Sequence, residues 1–167
     1  MTDAEPTSLP ATTLWLTADV GHLSILSEAV DQILDPLTNV ADLEILKYNI
    51  SLALQELCVN IIRHAYGGET GTITVRMAVE ERPLRMEVTT RDAGSSVFDM
   101  MGWTPPDLSE PHAGGMGLFL MQQLMDLVEY QPGAGNNRWR MVKFLEEPPP
   151  RLSMQQVLEE ASEGVER

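Results

Sequence analysis

Basic residues are scarce in this chain: 11 lysines and arginines stand against 25 aspartates and glutamates, a net charge of −14 over 167 residues. Without a bulk basic footprint, direct contact with nucleic acid is not expected. Any phosphate ligand must then be held by backbone amides and a metal cation more than by lysines. Cysteine occurs once, at Cys58, which excludes an internal disulfide and reads as a small, reduced core residue. No uninterrupted apolar run reaches the roughly 20 residues of a membrane span, and the N-terminus lacks the basic and apolar parts of a signal peptide. These absences point to a soluble cytoplasmic protein. What is present is 43% hydrophobic content, enough for one well-buried domain and too little chain for two.

Residues 1–10 are polar, contain Pro6 and Pro10, and read as a flexible leader to a domain over 11–147. The run TTLWLTA, 12–18, suits a strand. In residues 20–34 the apolar positions Leu23, Leu26, Ala29, Val30, Ile33 and Leu34 repeat at helical spacing until Pro36 intervenes. A second helix is expected from about 40 to 65, ended by Gly67 and Gly68. Two alternating runs follow, with Ile73, Val75, Met77 and Val79 on one face of the first and Leu84, Met86, Val88 and Thr90 on one face of the second. They predict a half-buried antiparallel hairpin. Residues 91–116 have no period and form a connection long enough to serve as a lid. A helix is expected over 117–128, then strands over 128–131 and 137–146. Pro148, Pro149 and Pro150 begin a linker and acidic tail, 148–167, in which Ser153 and Gln156 have capping-box spacing. This order predicts an α+β fold: a two-layer α/β sandwich whose mixed, mostly antiparallel sheet carries its helices on one face.

Three constellations carry chemistry. In ELCVNIIRHAYGG, residues 56–68, Glu56, Asn60 and His64 are four apart and at about 100° per residue share an arc of about 80°. Ile50, Leu54, Leu57, Cys58, Ile61 and Ala65 occupy the opposite arc, so the helix can bury its back and present three polar groups to a cleft. A solvated helix edge would look the same. Asp92 and Gly94 follow a strand, where a carboxylate can accept from an exocyclic amine and a glycine lets backbone approach a flat ring; an ordinary turn also explains the pair. Gly114, Gly115 and Gly117 precede a helix, presenting free amides and a positive dipole end to phosphate, or else forming a plain hinge.

Taken together and in this order, the three resemble the ATP-binding fold shared by gyrase, Hsp90, histidine kinases and MutL, the histidine-kinase-like (GHKL) ATPases. ELCVNIIRHAYGG and GGMGLFLMQQLMDLVEY, in particular, resemble strings of the bacterial anti-sigma-factor serine/threonine-protein kinases. The resemblance implies ATP and Mg²⁺ as cofactors, with Asn60 as a metal ligand and Glu56 as general base. It implies Asp92 as reader of the adenine with Gly94 beside it, and Gly114, Gly115, Met116, Gly117 and Leu118 on the phosphate side. His64 would line the pocket or hold the helix end. The partners implied are an anti-anti-sigma (STAS-domain) protein, phosphorylated on serine, and a sigma factor or equivalent regulator; members of the group often pair as homodimers. Two departures stand out. Ser95, Ser96 and Val97 separate Gly94 from Phe98 and Asp99 by an unusual spacer, and the lid from Asp99 to Ala113 has no lysine or arginine, leaving Arg63, His112 or a partner to supply a cation. A non-catalytic module that senses ATP and ADP while sequestering a partner is the alternative. His22 and His112 fit no metal-ligand spacing.

Overall fold

The computed structural model describes residues 9–109 and 115–147. After the first strand, β1 (Ala11–Thr17), the Asp19 carboxylate accepts the Gly21 N–H at 2.8 Å and caps a short 3₁₀ turn, Val20–His22. The first helix therefore starts later than its periodicity suggests, as α1 (Ser24–Leu34), and buries Leu26, Ala29, Val30, Ile33 and Leu34 along one stripe. The second helix, α2 (Leu43–Asn60), begins after Asp42, whose φ of 52° is left-handed and breaks the chain three residues past the expected start. Lys47 ties the two helices together, its Nζ donating to Asp35 at 2.5 Å and Glu44 at 2.7 Å. Those two hydrogen bonds, Asp35 first, hold its ammonium well above the ordinary lysine range.

β2 (Thr72–Glu80) and β3 (Arg85–Asp92) form the expected hairpin, and β5 (Asn137–Phe144) pairs with both β3 and β4 (Leu127–Gln131). The sheet order is β1-β2-β3-β5-β4. All four ladders are antiparallel, so the mixed sheet anticipated from sequence has no parallel pairing among the described residues. The third helix, α3 (Met116–Leu124), stops four residues short of expectation. Its would-be last turn is taken by the sheet: Met125 is extended, the Asp126 N–H donates to the Val142 carbonyl at 2.9 Å, and β4 starts at once.

α2 packs against both α1 and α3 in the layer that covers one side of the sheet. Leu26, Leu34, Ile50, Leu54 and Leu57 meet Ile73, Met77, Met86 and Met141 there, all fully buried. Each such side chain contributes roughly 1.5–3 kcal/mol. The helical rod Leu43–Ala65, 23 residues with mean hydropathy 1.2, has the length and composition of a membrane span, which the search for uninterrupted runs did not suggest. Its apolar stripe is already used by this core, and Glu44, Lys47 and Glu56 punctuate it.

Candidate functional site

Glu56 and Asn60 lie one turn apart near the end of α2, half-buried, and both point at the start of α3. A methyl group placed on Gly117 would lie 2.9 Å from Glu56 Oε2, 3.0 Å from Asn60 Nδ2 and 3.3 Å from Asn60 Oδ1. Any larger residue would have to displace both side chains, so the first and third sequence motifs are in contact. Gly115, with φ of +81°, turns the chain into α3, whose opening amides have no partner one turn back. Leu118 lines the adjoining cavity, Met116 is half-buried beside it, and Gly114 lies outside the described residues.

Beyond Asn60 the rod changes character. Residues Ile61–Ala65 form a π turn, closed by the Tyr66 N–H donating to the Ile61 carbonyl at 3.1 Å. The straight file of Glu56, Asn60 and His64 expected from an α-helix is therefore interrupted, and π turns often mark functional sites. His64 remains exposed but still lines the cavity with Asn60. Glu56 does not line that cavity; it faces the groove between α1 and α2 with Ser24, Ser27 and Gln55.

The cavity, about 240 Å³, reaches Asp92 at the end of β3. Asp92 is 4% exposed, and its Oδ1 accepts the Gly94 N–H and the Asn137 Nδ2, each at 3.0 Å. Its Oδ2 is buried with no hydrogen-bond partner among the described residues. An unpartnered buried acceptor costs on the order of 1–3 kcal/mol, and a ligand amine at the cavity wall would relieve it. At Gly94 a Cβ would meet the Ala65 carbonyl at 2.5 Å, so its missing side chain makes room for the end of the π turn.

Several residues that hold this site carried no recognised motif. Asn137, 1% exposed, sits opposite Asp92 in register. Its Nδ2 is shared among Asp92, the Gly94 carbonyl at 3.2 Å and the Ser96 carbonyl at 3.1 Å, while its Oδ1 accepts from the Tyr130 hydroxyl and the Gly133 N–H. Alternation with Trp139 and Met141 would have placed it inward, as a buried amide needing partners. Tyr66 donates its hydroxyl to the Thr72 carbonyl at 2.7 Å and accepts the Ala93 N–H at 2.9 Å, fastening the helix end to the Asp92 turn. Phe98, Tyr130 and Trp139 make an aromatic wall, with Tyr130 and Trp139 ring centroids 4.3 Å apart. Phe98 and Asp99 both reach the cavity despite the Ser95–Val97 spacer, and Ser96 and Val97 line it too. Arg63 is exposed and does not line the cavity, and His112 lies outside the described residues.

The sequence pattern of the histidine kinase-like ATPase domain spans residues 3–143 of this chain. The chain belongs to that family. This histidine kinase-like ATPase domain is 38% identical over 108 residues to the serine-protein kinase RsbW of Bacillus pumilus, covering 58% of the chain and 64% of that protein. It is 34% identical over 95 residues to the RsbW of Bacillus subtilis, covering 52% and 58%. The chain thus spans about three-fifths of the length of these curated relatives. In fold it is similar to the RsbU and RsbW domains of a Mycobacterium tuberculosis protein, with a TM-score of 0.58 at 16% identity over 86% of this chain and 35% of that one. The blue-light activated histidine kinase of Erythrobacter litoralis gives a TM-score of 0.50 at 18% identity, over 75% and 60%.

The donor set suits a magnesium nucleotide. No group of three His, Cys, Asp or Glu side chains is placed to hold a metal among the described residues, so a cation bound here would find the Asn60 carboxamide oxygen and would draw other ligands from phosphate and water. Mg²⁺ accepts that arrangement readily. The orphaned Asp92 oxygen and the aromatic wall suit a purine at the other end.

Proposed function

We propose that this domain is an ATP-dependent serine/threonine-protein kinase and anti-sigma factor of a cytoplasmic partner-switching system, which phosphorylates a serine of an anti-anti-sigma (STAS-domain) protein and otherwise binds a sigma factor or equivalent regulator. The convergence of Glu56 and Asn60 on Gly117 carries the reading, because it gathers a carboxylate, a hard oxygen ligand and a helix N-terminus at one point. The kinase relatives at 34% and 38% identity support the same reaction class.

ATP would supply the phosphoryl group, with Mg²⁺ neutralising phosphate charge. Asp92 Oδ2 would accept the exocyclic amine of the base, the wall of Tyr130 and Trp139 would exclude water, and the opening amides of α3 would receive phosphate oxygens. Glu56 would take the proton of the incoming serine hydroxyl as that oxygen bonds to the γ-phosphorus and the bond to the bridging oxygen breaks, ADP leaving with the electron pair; its place in the α1–α2 groove leaves it open to a protein substrate. His64 would line the pocket.

Transfer of label from Mg²⁺-ATP to an anti-anti-sigma protein tests this directly. Glu56→Gln should lower the transfer rate at least ~100-fold, within the range of general base catalysis, while nucleotide affinity stays within about twofold. Transfer at the parental rate would remove Glu56 from the mechanism. Nucleotide binding with no transfer by either protein would replace a kinase by a nucleotide-sensing module, a role that the absence of lysine and arginine from Asp99 to Ala113 would then explain.

A further inference from the structure

The face of the sheet turned away from the helices has a charge balance opposite to that of the chain. Asp92, Thr90 and Val88 of β3 are buried against the core, so alternation sends Arg91, Thr89, Glu87 and Arg85 to the other side. The registers place Arg76 of β2 and Arg138 and Arg140 of β5 on that same face. Five of the 11 basic residues therefore share one face of one sheet, in a protein of net charge −14. The strands bring only Glu80, Glu87 and Glu129 to meet them.

Pairing does not use these arginines up. Arg140 takes both Glu87, at 2.8 Å, and Glu129, at 2.9 Å. No carboxylate pairs with Arg76, Arg91 or Arg138 among the described residues. Arg91 and Arg138 stand directly opposite one another, a like-charge cross-strand pair that destabilises a sheet unless something neutralises it. One row crosses all five strands as Trp15, Thr74, Arg91, Arg138 and Gln131, and Trp15 is 71% exposed at its end. A groove of about 660 Å³ takes in the β3, β5 and β4 end of the row, with Arg91, Arg138, Gln131, Arg140, Glu129 and Met100 among its walls, and stops short of Thr74 and Trp15.

We propose that this outer face docks an acidic segment of a partner protein, whose carboxylates pair with Arg91 and Arg138 while an apolar neighbour covers Trp15. Charge complementarity selects the occupant. A polynucleotide would extend its charge past the arginine row and over the acidic remainder of the surface, where a short acidic segment need not go. A second copy docked face to face would add five more arginines against only three glutamates, compounding a positive face instead of neutralising it. The arginines stand on the sheet face opposite the helices, although their groove meets the cavity wall at Tyr130 and Trp139, and the proposal does not depend on the kinase reading.

A fluorescent oligoglutamate peptide titrated into the full chain provides the test, with an oligothymidylate of equal charge and a peptide of residues 148–167 as rival probes. Saturable oligoglutamate binding is expected, weakened at least ~10-fold in Arg91→Glu and in Arg138→Gln, falling with salt, and changed by less than ~2-fold in Arg82→Glu on the β2–β3 turn. Each variant should melt within a few degrees of the parent, so that lost binding is not lost folding. No saturable binding, or binding undiminished in both arginine variants, would overturn the proposal. Tighter binding of oligothymidylate would overturn it in favour of nucleic acid, and tighter binding of the 148–167 peptide in favour of the chain's own tail.

Discussion

Asp92 gives one carboxylate oxygen to the fold and leaves the other to the cavity, and Asn137 makes that division possible. Replacing Asn137 by alanine would leave Asp92 Oδ1 with the Gly94 N–H alone and remove the partners of the Ser96 carbonyl and the Gly133 N–H, so Asn137→Ala should lose about 2–3 kcal/mol. Urea denaturation would show it, and a loss under about 0.5 kcal/mol, the size of an ordinary surface substitution, would contradict the network. Cys58 supplies a second test at this scale. Burial pushes its thiol up to about 12 from an ordinary value of 9.0, so the folded protein holds that proton more tightly than the unfolded chain. The resulting stability is fully present below pH 9 and is lost as pH rises toward about 12. Between pH 8 and 10, stability measured in urea should therefore fall further for the parent than for Cys58→Ala; equal losses would contradict the assignment.

Among the elements, α3 carries the sharpest conflict between propensity and site. Alanine is favoured over glycine inside a helix by roughly 1 kcal/mol, yet a methyl on Gly117 would press on Glu56 and Asn60. Gly117→Ala should therefore keep its melting temperature within a few degrees of the parent while losing at least ~10-fold in nucleotide affinity or transfer rate, the equivalent of about 1.4 kcal/mol. Unchanged function would mean that the approach has no consequence for ligand. The same element shows where sequence is legible and where it is not. Among the described residues periodicity located α1, β2 and β3, each of which buries one face, but helix ends were settled by competitors that periodicity does not register. Asp19 capped a 3₁₀ turn ahead of α1, and the pairing of Asp126 with Val142 cut α3 short. The π turn after Asn60 had no signal at all, since it changes hydrogen-bond register without changing composition.

For the whole molecule, the hairpins and the order of elements were readable, whereas the crossing of β5 between β3 and β4 depends on contacts far apart in sequence. The motifs named Asn60, His64 and Asp92, which line one cavity, and Glu56 and Gly117, which adjoin it beside Asn60, because α2, α3 and the end of β3 meet there. Asn137 and Trp139 lie outside the motif strings, and Tyr66 and Tyr130 lie inside them without an assigned role, because only the fold brings them to Asp92. Net charge acts at this scale too. With charge −14 and most arginines confined to the sheet, self-repulsion opposes compaction, and raising salt from low to moderate ionic strength should raise the melting temperature. A decrease would indicate that ion pairs such as Arg140 with Glu87 matter more than the net field.

The central claim is that the cavity ending at Asp92 Oδ2 reads a purine amine, and calorimetric titration with Mg²⁺-ATP and Mg²⁺-ITP tests it most directly. The two nucleotides differ at the base, where ITP has a carbonyl in place of the exocyclic amine. ATP should bind at least ~10-fold more tightly than ITP to the parent, as expected for a hydrogen bond to a charged acceptor, and that preference should largely vanish in Asp92→Ala. Equal affinities for ATP and ITP in the parental protein, or a preference that survives Asp92→Ala, would contradict it.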